Sequence, residues 1–203
     1  MTSEIRLVNV PVWTALTTAG LAIGLVAGLL VGMSLDQIVN AMVVTAAVTC
    51  CVGAVLGGFQ AIGLRRVLHV PLWWVAATIV GVGAGLAAGV VLVEQVGIAL
   101  TGVRPNVARL GAGMRMLNMV VVGLTTGTFL GAAQSLVLRR QVPGVKHWPA
   151  ITAIGLAVAF AASSLAVDLL RMRFASLAGV VTFVLLAGIA FGLLTSWRLR
   201  RAA

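Results

Sequence analysis

Six apolar runs, nearly free of charge, occupy approximately residues 10–33, 39–64, 71–93, 116–138, 148–170 and 174–197. Roughly 20 apolar residues let a helix cross about 30 Å of hydrocarbon, where every backbone polar group must find its partner within the protein. Each run is long enough, and together they use most of the 203 residues. Composition excludes the alternative of buried helices in a large soluble core. Hydrophobic residues make up 61% of the chain and charged residues 9%, and the mean hydropathy is +1.15. A water-soluble domain covers itself with charge on about a quarter of its residues. The chain therefore reads as an all-α integral membrane protein, a single transmembrane domain over residues 1–203 with six spans. The first span, preceded by Arg6 and lacking a small-residue cleavage site, reads as an uncleaved anchor.

The breaks between runs carry the charge. With both termini on one side, that side holds Arg6, Arg65, Arg66, Arg139, Arg140, Lys146, Arg198, Arg200 and Arg201, nine of the fourteen basic residues. Arg104, Arg109, Arg115, Arg171 and Arg173 fall on the other side, with Asp36, Glu94 and Asp168. The excess of Lys and Arg predicts cytoplasmic termini. Trp13, Trp73, Trp74, Trp148 and Trp197 fall at span ends on the same face, where indoles are expected among headgroups. The net charge of +10 thus serves orientation and favours anionic lipid as a partner. Nucleic acid is not expected, because the basic residues sit in short groups beside spans with no soluble domain to present them.

The chain also matches itself. A shift of 74 carries Gly53 to Gly127, Gly57 to Gly131, Gln60 to Gln134, Leu64 to Leu138, Arg65-Arg66 to Arg139-Arg140 and Trp74 to Trp148. A shift of 61 carries Trp13 to Trp74, Thr17 to Thr78, and Gly20, Gly24 and Gly28 to Gly81, Gly85 and Gly89. A shift of 135 carries Trp13 to Trp148, Gly53 to Gly188, Gly57 to Gly192 and Arg65-Arg66 to Arg200-Arg201. Three tandem helical hairpins follow, approximately 10–66, 71–140 and 147–201. Each contains two spans, so all three share one orientation and can surround a pseudo-threefold axis along the membrane normal. The middle unit has 13 extra residues, expected in an outer loop from Glu94 to Arg115.

Glycines four apart line one helix face and let backbones approach, which matters where lipid gives helices little reason to associate. Gly20, Gly24, Gly28 and Gly32 form one such ridge, Gly81, Gly85 and Gly89 a second, and Gly123, Gly127 and Gly131 a third. Gly53/Gly57 and Gly188/Gly192 are shorter. Tight helix packing is their expected role; lining a path for a small solute is the alternative.

Gln60 and Gln134 each lie about one turn inside their Arg pairs, and Thr195 takes that register in the third unit. An intramembrane amide requires partners, which an interhelical hydrogen bond or a substrate would supply. The pairs Arg65-Arg66, Arg139-Arg140 and Arg200-Arg201 are candidates for contact with anionic headgroups or an anionic solute. Glu94 and Asp168, equivalent in register, are expected to pair with Arg115, Arg171 or Arg173 near the surface. Adjacent Cys50 and Cys51 suit packing and not a disulfide between spans. His69 and His147 lack companions at metal-ligand spacing. No cofactor, metal site or catalytic group is expected.

The motif Gly57-x-x-Gln60-x-x-x-Leu64-Arg65-Arg66 followed by Trp74, and again Gly131-x-x-Gln134-x-x-x-Leu138-Arg139-Arg140 followed by Trp148, resembles a broad, largely uncharacterised group of bacterial multi-pass membrane proteins with repeated Gly, Gln and Leu-Arg motifs. In that group Trp commonly follows the Gln, whereas Ala61 and Ser135 do here, and the third copy has Thr195. The resemblance implies a bacterial cytoplasmic membrane protein and carries no activity. Three tandem hairpins are also a property of mitochondrial carriers, but their Pro-x-Asp/Glu-x-x-Lys/Arg signature is absent from all three units. Two functions remain: a non-catalytic subunit or scaffold that packs on partner membrane proteins through glycine-rich faces and contacts anionic lipid, or a small transporter or channel.

Overall fold

The computed structural model describes residues 9–35, 40–65, 71–102, 111–139, 145–170 and 177–201. Among these the chain is entirely helical: α1 (Val10–Leu35), α2 (Ala41–Leu64), α3 (Pro71–Thr101), α4 (Ala112–Leu138), a 3₁₀ turn (Val145–His147), α5 (Trp148–Leu169) and α6 (Leu177–Arg201). Local chemistry accounts for several of the starts. Pro71 opens α3 and Pro149 lies in the first turn of α5, where a missing N–H costs nothing and the fixed φ already suits a helix. Asn40 caps α2, its side-chain oxygen accepting from the Val43 N–H at 3.0 Å. The segments Val10–Leu35, Val43–Leu64, Pro71–Ala99, Ala112–Leu138 and Val145–Leu169 are each long and apolar enough to cross a bilayer. A shorter apolar stretch, Val181–Ser196, lies in α6. The protein is a multi-pass helical membrane bundle.

Burial is inverted relative to a soluble bundle. Leu30, Met33, Leu72, Val80 and Leu136 point outward and are exposed, while Gln60, Gln134, Thr17, Thr78, Thr152, Ser163 and Thr195 are buried. Lipid makes this arrangement favourable, since the outer face meets hydrocarbon and the polar groups find one another inside. Of the two cysteines, Cys50 is exposed and Cys51 half-buried, and both are free thiols.

Each helix packs against its neighbours in sequence, and α6 returns to α1, so the bundle closes as a ring. Glycine sets how closely. The α1 ridge faces α2, where a Cβ on Gly20 would lie 2.9 Å from Phe59 Cβ and one on Gly24 would lie 3.1 Å from the Val52 carbonyl oxygen. Gly53 faces α3, 2.7 Å from Ile79 Cα by the same construction; Gly57 meets Val75 and Thr78. Gly81 faces α4 at 2.5 Å from Leu130 Cα, with Gly85 against Thr126 and Gly89 against Val122 and Thr125. On α4, Gly123, Gly127 and Gly131 meet Ala157, Ala153 and Pro149 of α5. Gly188 and Gly192 meet Thr18 and Thr14 of α1, each at 2.8 Å from the Cα. At Gly53, Gly81, Gly85, Gly123, Gly127, Gly131, Gly188 and Gly192 the nearest atom is a neighbouring Cα under 3.0 Å away, so backbones touch there and a methyl group has no room. On α5 the corresponding face reads Gly155, Ala159, Ser163, and the nearest atom to Gly155 is a Phe191 ring carbon at 3.3 Å. There α6 meets α5 through a side chain, whereas on its other side Gly188 and Gly192 bring it against the α1 backbone.

The expected outer loop from Glu94 to Arg115 is shorter than its sequence suggested. Glu94 lies within α3, which continues to Thr101, and Arg115 lies in the first turn of α4. A charge near the membrane surface ends an apolar run without breaking a helix. Gly102, at φ +71, takes a left-handed conformation open to glycine and marks the real end of α3.

Candidate functional site

Toward the end of the bundle where Arg65 and Arg139 stand, the interior is crossed by a polar layer. Gln134 sits one turn before Leu138 on the same face of α4, and Gln60 has the same relation to Leu64 on α2, so both amides turn inward. Gln134 is a hub. Its Nε2 donates to Gln60 Oε1 at 3.2 Å and to Thr78 Oγ1 at 3.1 Å, and its Oε1 accepts from Trp148 Nε1 at 3.1 Å. Thr195 has the equivalent role on α6, accepting from Trp13 Nε1 at 2.9 Å while donating to the Phe191 carbonyl at 2.8 Å. The hydroxyls of Thr78 and Thr152 donate to the carbonyls of Trp74 and Trp148, four residues earlier. Trp74 Nε1 is buried with no hydrogen-bond partner.

Beneath this layer Trp13, Trp74 and Trp148 pack with Ala61, Leu64, Leu138 and Val145. Trp74 and Trp148 meet edge to face, their centroids 6.4 Å apart. The sequence reading placed these three indoles among headgroups. The structure corrects that: Trp13 and Trp74 are 0% exposed and Trp148 is 4%, whereas Trp73 alone among the described tryptophan side chains faces outward. A Trp at a span end satisfies an interior site as well as an interface when an acceptor lies at the right height, as Thr195 does for Trp13 and Gln134 for Trp148, whereas Trp74 is held by packing against Trp148 and its neighbours.

On the far side of the layer lies a cavity of about 320 Å³ to which all six helices contribute. Leu21 and Leu25 of α1, Val52 of α2, Leu86 of α3, Leu130 of α4, Phe160 of α5 and Phe183 of α6 are among its lining. Phe160 and Phe183 pack at 5.3 Å between centroids. Among the described residues that line it, Thr17, Thr49 and Thr126 are the polar ones and none is titratable. Thr49 donates to the Thr45 carbonyl at 2.7 Å, whereas the hydroxyls of Thr17 and Thr126 are buried without a partner. Nothing in the sequence pattern announces this space; it follows from the girth of a six-helix ring whose inner side chains do not reach its centre.

The arginine pairs are less fully described. Arg65 and Arg139 are exposed at the ends of α2 and α4, where their backbone N–H groups bond the Ile62 and Ser135 carbonyls. Arg66 and Arg140 lie outside the described residues, as do the side chains of Arg200 and Arg201 in the last turn of α6. The structure thus brings Gln60 and Gln134 into contact and sets Thr195 in a bond with Trp13. At the opposite end Arg115 Nη2 bonds Asp168 Oδ1 at 2.7 Å, tying α4 to α5. His69, Asp36, Arg104, Arg109, Arg171 and Arg173 lie outside the described residues.

No known protein family, curated protein or solved structure matches the chain.

Proposed function

We propose that this chain is a non-catalytic scaffold or subunit of a membrane complex in a bacterial cytoplasmic membrane, built as three parallel hairpins with both termini in the cytoplasm. The observation that carries the reading is the closure of the ring interior by the Trp13–Thr195 and Trp148–Gln134–Gln60 bonds, above a wall of aliphatic and aromatic carbon. A path for ions or polar solutes needs polar groups free to replace water. Here the amides are engaged with one another and with indoles, and the lining beyond them offers hydrocarbon. Equivalent bonds at offsets matching the sequence repeat, and a ring that closes α6 on α1, support the three-hairpin arrangement.

The glycine ridges serve contacts within the chain, so partner helices meet other faces. Arg65 and Arg139, exposed on the cytoplasmic side in this orientation, are suited to anionic headgroups, with Arg66 and Arg140 next to them in sequence and Arg200-Arg201 as the third pair. The test combines purification in mild detergent with water-soluble thiol labelling of Gln60→Cys and Gln134→Cys variants in a Cys50→Ala/Cys51→Ala background. Co-purifying membrane proteins and unlabelled cysteines are expected. A chain that purifies alone, with either cysteine labelled, sinks the scaffold reading in favour of a transporter.

A further inference from the structure

We infer that the polar layer is a latch with two arrangements: in one Gln60 bonds Gln134, as in the structure, and in the other Gln60 turns to accept from the Trp74 indole. The register of the repeat carries this. Each hairpin opens with a buried indole, and two of the three donate to the helix that precedes them around the ring: Trp148 of α5 to Gln134 of α4, and Trp13 of α1 to Thr195 of α6. The remaining pair is Trp74 of α3 and Gln60 of α2, which the 74-residue offset carries onto Trp148 and Gln134. Donor and acceptor are both present and both buried, at 0% and 1% exposure, yet this bond is not made.

The orphan N–H has to be served from within the protein. Trp74 Nε1 is buried too deeply for water to reach it, and a donor left unmade in such a place is unfavourable. Gln60 is the acceptor at hand. Ala61 and Leu64, beside it and one turn after it on α2, belong to the cluster that holds Trp74, and Gly57, one turn before it, brings α2 against Val75 and Thr78. Its oxygen already borders this face of α3, because Gln134 Nε2 donates both to Gln60 at 3.2 Å and to Thr78, one turn after Trp74, at 3.1 Å. What holds that oxygen from the indole is the longest of the three Gln134 bonds, at the long end of the N–H···O range. Turning Gln60 toward Trp74 forfeits this bond and gains the indole's. Each arrangement leaves one N–H unmade, so the two lie close in free energy and both are populated. Since α2 and α4 stand on either side of α3, the exchange makes and breaks a tie across the ring. The bonds from Gln134 to its adjacent helices, through Thr78 and Trp148, persist. With the latch open, all three hairpins make the same indole bond.

The experiment follows the indole N–H resonances of the full chain in nanodiscs with isotope-labelled tryptophan, Trp74→Phe assigning the one in question. Relaxation dispersion and saturation transfer together detect a minor state over fast and slow exchange. Wild-type protein is expected to show such a state at Trp74, its proton shifted downfield as the indole gains an acceptor. Gln60→Leu removes that acceptor and should abolish the minor state. Gln134→Leu removes the competing donor and should move the main Trp74 resonance to the minor-state position. If that variant does not fold, Gln134→Met removes the same donor while keeping an unbranched chain of similar length. Trp13, bonded to Thr195 outside the Gln60–Gln134 pair, is the control and should show no exchange. A wild-type Trp74 resonance without a minor state would overturn the latch. So would a minor state that survives Gln60→Leu, a main resonance unmoved by loss of Gln134, or exchange shared with Trp13.

Discussion

Gln134 donates to Gln60 at 3.2 Å across 74 residues, the same interval at which the sequence matches itself from Gly53 to Gly155. Two glutamines with the same Gly-x-x-Gln-x-x-x-Leu-Arg spacing around them thus touch. The contact is asymmetric: Gln134 also holds Thr78 and Trp148, while the indole of Trp74 has no hydrogen-bond partner.

The asymmetry predicts unequal costs. Gln134→Leu removes three bonds and strands the Trp148 N–H, and should lower stability by about 1–3 kcal/mol. Gln60→Leu removes one of these bonds and should cost about 0.6 kcal/mol, the average for interhelical bonds in a membrane bundle. Unfolding in mixed micelles with increasing SDS measures both, and equal effects would contradict a hub at Gln134.

Glycine substitutions should divide by what lies opposite. Gly127→Ala drives a methyl group into the Ala153 backbone, and separating α4 from α5 should cost about 1–3 kcal/mol or more. Gly58 has nothing within 4 Å of an added Cβ, so Gly58→Ala should be neutral or should stabilise by roughly 0.5–1 kcal/mol through helix propensity. The same SDS titration reads both.

Thr195→Val keeps the shape of the side chain and removes the acceptor for Trp13. A loss of about 1 kcal/mol is expected, accompanied by a shift in tryptophan emission as the buried indole loses its partner. Unchanged emission would show that this bond does not form in solution.

The Arg115–Asp168 pair should matter less than its 2.7 Å separation suggests. Both side chains retain access to solvent, at 29% and 19%, and exposed pairs are screened. Asp168→Asn is expected to cost less than about 1 kcal/mol and to lose its effect as salt is raised. A larger, salt-independent loss would place the pair in a drier setting.

Much of the architecture was legible because hydrocarbon imposes simple rules. Uncharged length announces the helices, and an added Cβ on Gly81, Gly85 or Gly89, four apart in sequence, would lie within 3.1 Å of an α4 Cα. The sequence could not say which neighbour each ridge would face, since that depends on how the ring closes. It also misplaced features at the ends. Glu94 ends an uncharged run and yet lies in α3, because one charge near an interface is tolerated by a helix. Trp13, Trp74 and Trp148 read as interfacial, and their burial depends on neighbours distant in sequence: Thr195 for Trp13, Gln134 for Trp148 and the Trp148 ring for Trp74. The cavity had no sequence signal at all, being a property of the distance across the ring and of no single helix.

The bond from Trp13 to Thr195 joins residues 182 apart, the first helix to the last. Because α6 is made long after α1, the Trp13 indole lacks this acceptor until α6 is inserted, and the α1 face that meets α6 stays open to lipid in the meantime. The same geometry makes the position of the chain ends arbitrary: a circular permutant opened between α2 and α3, with its original ends linked, would assemble the same wall in a different order.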